Sequence, residues 1–202
     1  LDEIILNKNY NELNDINYLD LLAKDKLYLD QLKIRENIYG KSILITGAGG
    51  SIGGNLSRFI LKYNPKDLII FDNNEYSLFK IESELGILKK TKKIHTNIIS
   101  IIGSISNQNL TKNLFEKFNI DIVYHAAALK HVLLVEKNIL ESITTNVIGT
   151  YNIFNLCKIY GVSKFINIST DKAVNPSNIM GLTKRLSEVI LMSQSHNLSI
   201  SI

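Results

Sequence analysis

The chain has 202 residues, 45% of them hydrophobic, which suits one sizeable α/β domain with a short extension and argues against wholesale disorder. Its net charge is +4, and the one dense basic run, KKTKK at 89–93, falls between a predicted helix and a predicted strand, so it reads as a solvated loop rather than a nucleic-acid footprint. No apolar run approaches the roughly 18–20 residues that span a bilayer, the first residues lack signal-peptide order, and the lone Cys157 reads as a buried small hydrophobe that allows no internal disulfide, as suits a reducing, cytoplasmic setting.

Residues 1–40 show no strand pattern and no glycine before Gly40. The stretch YLDLLAKDKLYLDQLKI predicts a helix or two there, an N-terminal extension or linker without a chemical role. From residue 41 to 202, short β-branched runs alternate with segments of helical period, the pattern of a parallel sheet covered on both faces. Strands are predicted at 42–46, 67–71, 96–102, 121–126, 164–169 and in the terminal LSISI, with helices near 52–63, 75–90, 108–118, 137–160 and 178–196. LSISI reads as a strand cut off midway, so the chain is expected to be a segment of something longer. Right-handed crossovers favour the doubly wound order 3-2-1-4-5-6, a Rossmann-type sheet whose ligands lie outside the carboxyl ends of the strands.

The residues after each strand are therefore the ones to read. TGAGGSIG follows the first, with Gly47, Gly50 and Gly53 three apart and a helix behind them. Glycines at this spacing let the backbone turn tightly and approach a pyrophosphate, which the helix amino end also attracts. Thr46, Ser51 and Ile52 complete that loop. Asp72 ends the second strand, where a carboxylate accepts from the adenosine ribose hydroxyls and repels a 2′-phosphate, so the expected cofactor is NAD rather than NADP. Ser104 follows the third strand and can reach the adenine edge. Ala126, Ala127 and Ala128 follow the fourth and let the backbone lie close to the cofactor. His95, His125, His131 and His196 lack metal-ligand spacing, and no metal site is expected.

The fifth strand delivers STDKAVNP, which puts Ser169, Thr170, Asp171 and Lys172 near the nicotinamide end of the cofactor. Met180 and Lys184 follow on the next helix, four apart and so on one face.

ILITGAGGSIG, HAAALKHV, TTNVIGT and STDKAVNPSNIMGLTKR together resemble the polysaccharide-biosynthesis family of nucleotide-sugar 4,6-dehydratases, within the extended short-chain dehydrogenase/reductases. The similarity is to the UDP-N-acetylglucosamine 4,6-dehydratase type, whose long members carry Met where the ordinary enzyme has the Tyr of Tyr-x-x-x-Lys. The resemblance implies hydride removal from the sugar C4 by NAD, loss of water across C5 and C6, and return of the hydride to C6. By position it assigns the elimination acid to Asp171 and the base to Lys172, and Lys184 to the nicotinamide ribose. It also brings Lys130 and Asn146 near substrate, although Leu129 and Leu133 depart from the family's usual Tyr and Pro. It further implies an absent carboxyl-terminal substrate domain, an upstream module that is often membrane-embedded, and a homo-oligomer.

Met180 can neither take nor give a proton, so the C4 hydroxyl must be deprotonated with help from Thr170, Asp171, a water or the cofactor's own hydroxyls. For Lys172 to serve as a base its ordinary value near 10.4 must fall, and for Asp171 to serve as an acid its value near 3.9 must rise. Two rival readings stay open. One is a nucleotide-sugar 4-epimerase, which needs the missing phenol; the other is a non-catalytic NAD-binding module, which the Asp171 and Lys172 pair argues against.

Overall fold

The computed structural model describes residues 30–194 and 198–202, so residues 1–29 of the expected extension, and His196, lie outside the described residues. The unit considered below runs from Leu32 to Ile202. In chain order its elements are helix α1 (Gln31–Ile38), strand β1 (Ser42–Thr46), α2 (Ser51–Leu61), β2 (Asp67–Asp72), α3 (Glu75–Thr91), β3 (Asn97–Ile102), α4 (Gln108–Lys117) and β4 (Ile122–His125). There follow α5 (Val132–Lys137), α6 (Ile139–Ile143), a π-helical segment (Thr144–Gly149), α7 (Thr150–Ile159), β5 (Lys164–Asn167), a 3₁₀ turn (Asp171–Ala173), α8 (Ile179–Ser193) and β6 (Ser199–Ser201).

The six strands form one sheet in the order β3-β2-β1-β4-β5-β6, each neighbouring pair parallel, as the alternating pattern predicted. Strand periodicity explains why both faces are covered. Along β1, Ile43 and Ile45 point to one side and Leu44 to the other, and all three are fully buried. The first side joins Leu68, Ile70 and Ile122 to Ile60 and Leu61 of α2, Leu78, Ile81 and Leu85 of α3, and Ile38 of α1. The second joins Ile69, Val123 and Phe165 to Leu114 of α4, Phe154 and Cys157 of α7, and Leu191 of α8. Burial pushes the Cys157 thiol up and keeps it a packing group.

Three departures from the sequence reading bear on function. The helix predicted over 137–160 is interrupted: Asn138 leaves helical geometry at φ −134° and ψ 56°, and the chain then widens into the π segment before α7. A helix predicted nowhere, α5, fills the preceding loop. The fifth strand ends at Asn167 rather than at 169, because Thr170 caps a 3₁₀ turn, its hydroxyl accepting from the Lys172 N–H. Lys89 and Lys90 of the basic run lie in the last turn of α3, where cations meet the negative helix end.

Phe165 is fully buried at the centre of the second core and contacts both Phe154 and His125. Phe165→Ala is expected to cost roughly 3–5 kcal/mol, read as a fall in the urea midpoint at unchanged slope.

Candidate active site

The glycine loop is built for close approach. Gly47 has φ +67°, and a Cβ there would lie 2.6 Å from the Ala127 nitrogen on the neighbouring strand's exit. A Cβ on Gly53 would overlap the Gly47 carbonyl oxygen. Gly49, which the spacing argument passed over, is as constrained: a Cβ would meet Ser77 Cβ at 2.6 Å, and its N–H donates to Asp72 Oδ2 at 2.8 Å. Asp72 Oδ1 accepts from the Asn74 N–H at 2.8 Å, so the carboxylate is aimed by two backbone donors and stands at the rim of the cavity. The N-cap of α2 is Gly50, without a side-chain hydrogen bond to the helix N–H groups. That leaves the positive helix end open toward the loop.

Below the loop runs a buried polar chain. The Thr150 hydroxyl donates to the Asn146 carbonyl at 2.7 Å, so toward His125 Nε2, at 3.0 Å, it accepts. His125 thus carries its proton on Nε2, and Nδ1 accepts from the Thr46 hydroxyl at 2.8 Å. Burial, then the charge of Lys184, lowers His125 to about 3, which makes it a structural neutral imidazole. Thr46 therefore serves β4 as well as the loop. The Asn146 side chain is fully buried: Oδ1 accepts from Leu129 N–H at 2.8 Å, and Nδ2 donates to Leu129 O and to Thr183 Oγ1, both at 3.0 Å. Asn146 clamps the loop after β4 to α8, and it lies behind the cavity wall rather than in it. Lys130 stands exposed on that wall.

At the far end, Thr170, Lys172, Met180 and Lys184 line the same cavity. The Lys172 ammonium lies 3.3 Å from Asp171 Oδ1, and the Thr170 hydroxyl donates to that oxygen at 2.9 Å. The Asp171 side chain is 86% exposed and Lys172 51%. The Thr170 and Lys172 hydrogen bonds and the lysine's charge hold Asp171 below the usual carboxylate range, the opposite direction from that required of a resting acid. Met180 is buried, and Gly181 allows α8 to close on the turn, since a Cβ there would overlap the Lys172 carbonyl. The Asn178 side chain caps α8 through the Gly181 N–H at 2.8 Å. Lys184 is only 5% exposed and donates to the Ile168 carbonyl at 2.7 Å.

One cavity of about 840 Å³ thus joins Gly47, Gly50, Ser51, Ile52, Gly53, Asp72, Ser104 and Ala126–Ala128 to the turn after β5 and Lys184. Asp171 flanks this lining and Asn146 backs it. The side-chain-free cradle, the open helix end and the aimed carboxylate fit a dinucleotide. Among the described residues, no group of three or more His, Cys, Asp or Glu could hold a metal ion, and no helix is long and apolar enough to cross a membrane.

A family described as polysaccharide biosynthesis protein matches residues 43–201. The chain is 41% identical over 183 residues to the capsular polysaccharide biosynthesis protein CapD of Staphylococcus aureus, covering 91% of this chain and 30% of that protein. It is 35% identical over 159 residues to a UDP-N-acetylglucosamine 4,6-dehydratase (inverting) of Campylobacter jejuni, covering 78% and 44%. The solved UDP-Glc/GlcNAc 4-epimerase of Campylobacter jejuni superposes with a TM-score of 0.66 at 26% identity, over 77% of this chain and 49% of that one. The chain therefore spans between 30% and 44% of the length of these curated relatives.

Lys184 supplies a measurable consequence of burial. Loss of solvent lowers its ammonium to about 8, partly opposed by the charge of Glu188. Between that value and its ordinary one near 10.4, the unfolded chain binds the proton that the folded chain has released, so stability rises with pH in this window. Urea titrations should show that rise, on the order of 3 kcal/mol, between about pH 8 and 10.5, and Lys184→Met should remove it.

Proposed function

The chain belongs to the polysaccharide biosynthesis protein family, and from that premise we propose that it is the NAD-binding part of a UDP-N-acetylglucosamine 4,6-dehydratase. The product would be a UDP-4-keto-6-deoxy-N-acetylhexosamine for surface polysaccharide or protein glycan synthesis. The observation that carries this reading is the paired acid and amine of Asp171 and Lys172, 3.3 Å apart at the cavity that the glycine loop opens.

The loop backbone at Gly47, Gly50 and Gly53 and the α2 amino end would hold the pyrophosphate, Asp72 the adenosine ribose, Ser104 the adenine edge, and Lys184 the nicotinamide ribose. When bound, the nicotinamide supplies the hydride acceptor for C4 and the donor for C6. The side chains then have two proton tasks: removing the C5 proton, acidic beside a C4 ketone, and protonating the departing O6 hydroxyl. In the solvated turn the pair rests as carboxylate and ammonium. Covering it with substrate removes water, which disfavours both charges, so that Lys172 releases its proton to the departing solvent and becomes the free amine that takes the C5 proton. The Thr170 hydroxyl, bonded to Asp171 at 2.9 Å, is placed to relay to that carboxylate the C4 hydroxyl proton that Met180 cannot accept. Asp171, now a carboxylic acid, gives this proton to the departing O6 hydroxyl, and Lys172 returns its proton to C5 when the hydride reaches C6. Lys130 would meet the substrate from the rim, and Asn146 would act through the Leu129 backbone that it holds.

The epimerase reading has the structural likeness to a 4-epimerase in its favour; against it, the family resemblance aligns Met180, a buried thioether, with the phenol that reaction needs. Product mass separates the two, since epimerisation leaves it unchanged.

Two outcomes follow. In the full-length protein, UDP-N-acetylglucosamine turned over in deuterated water should give a C6 methyl and a deuteron at C5 by NMR, and Lys172→Ala should lower kcat by about 10²-fold or more while sparing NAD binding; a Lys172→Ala enzyme near full speed removes the assigned base. By calorimetry NAD should bind more tightly than NADP, with Asp72→Ala narrowing the gap. Tighter NADP binding by the unaltered chain refutes the cofactor assignment.

A further inference from the structure

Glu188 lies on α8 one turn beyond Lys184 and is only 7% exposed. A carboxylate this deep is costly unless it is held by partners. Both oxygens are used: one accepts from the Ser169 hydroxyl, the other from Arg185 Nη1 at 3.2 Å. The pair with Arg185, three residues earlier on the same helix, supports α8 but does not account for the bond to Ser169. Lys184 precedes Glu188, the weaker order for a pair four apart, and the Lys184 ammonium is donated to the Ile168 carbonyl instead, at 2.7 Å. Two successive residues beyond β5 are thereby tied to α8, Ile168 through Lys184 and Ser169 through Glu188. The next residues are Thr170, Asp171 and Lys172.

We propose that Glu188 is a positioning residue: its carboxylate, steadied by Arg185, grips the Ser169 hydroxyl and so fixes the turn that presents Thr170 and Lys172 to the cavity. Its catalytic meaning rests on the dehydratase reading, but the grip itself does not. The charged or titratable groups tied to Lys184 are Glu188 on its own helix, which Arg185 bonds, and His125 on β4; Lys172 lines the same cavity. Of these, Glu188 is the one that favours the protonated Lys184.

Three measurements decide the matter. Amide hydrogen exchange in the 202-residue chain should quicken at residues 172–174, whose N–H groups the turn bonds, in Glu188→Ala and in Ser169→Ala while β1 stays protected; unchanged exchange overturns the grip whether or not the protein turns over a sugar. The Lys184 titration, followed by NMR of labelled lysine, should move to lower pH in Glu188→Gln, and an unmoved midpoint overturns the charge link. In full-length protein, Glu188→Ala and Ser169→Ala should each lower kcat roughly tenfold with little change in KM, the double variant should be no worse than either single, and Glu188→Gln, which still accepts a hydrogen bond, should recover most of the loss. Additive losses in the double variant overturn the proposal. Absence of any dehydrated product from the unaltered enzyme sinks the dehydratase reading alone, and the exchange measurement still decides the grip.

Discussion

The cavity depends on a contact between two backbones that no side chain separates. Where β1 and β4 leave the sheet side by side, Gly47 and Ala127 approach so closely that a single methyl group would force them apart. Parallel pairing of β1 with both β2 and β4 fixes where each strand lets go of the sheet. The small residues then decide that the space above is left open rather than filled. Gly53 keeps the first turn of α2 against that loop, so the positive helix end and the aimed carboxylate of Asp72 face the same volume.

The two ends of this volume differ in their electrostatics. At the glycine-loop end, polarity comes from backbone N–H groups, and the Asp72 carboxylate is directed by two of them. At the other end, charge is carried by side chains at contrasting depths. Lys184 and Glu188 are buried and bonded, whereas Asp171 and Lys172 lie out in solvent, paired with each other. The Thr170 and Lys172 hydrogen bonds hold the exposed Asp171 carboxyl below its usual range. Lys184 and Glu188 are instead dry, and each is bonded to a residue between β5 and the turn.

Much of this was legible from residue order. Six β-branched runs, spaced by helical segments, implied a parallel sheet and its strand order, because period and length distinguish the two kinds of element. The glycine triplet and Asp72 pointed to the loop because conformational and close-approach demands restrict residue choice there. What escaped the reading depends on contacts between distant segments. Gly49 matters because Ser77 lies above it, and Gly181 because the Lys172 carbonyl lies beneath it. The π segment forms where Asn146 reaches back to Leu129, seventeen residues earlier, a bond that no local period encodes. Glu188 had a signal, its position four residues after Lys184, but the spacing alone suggests an ordinary surface pair. Its burial against Ser169 is what gives it meaning.

The polarity of the polar chain through Thr46, His125, Thr150 and Asn146 has a further consequence. Every hydroxyl hydrogen in it points the same way, ending on a peptide oxygen, and the imidazole at its centre resists a second proton until strongly acidic conditions. A proton entering at Thr46 would have to rest on that imidazole, which burial keeps neutral, or on the Asn146 carbonyl, which already accepts from both Thr150 and Ser187. The floor beneath the glycine loop is thereby held without charge, and the exposed pair of Asp171 and Lys172 stands apart from it, in solvent.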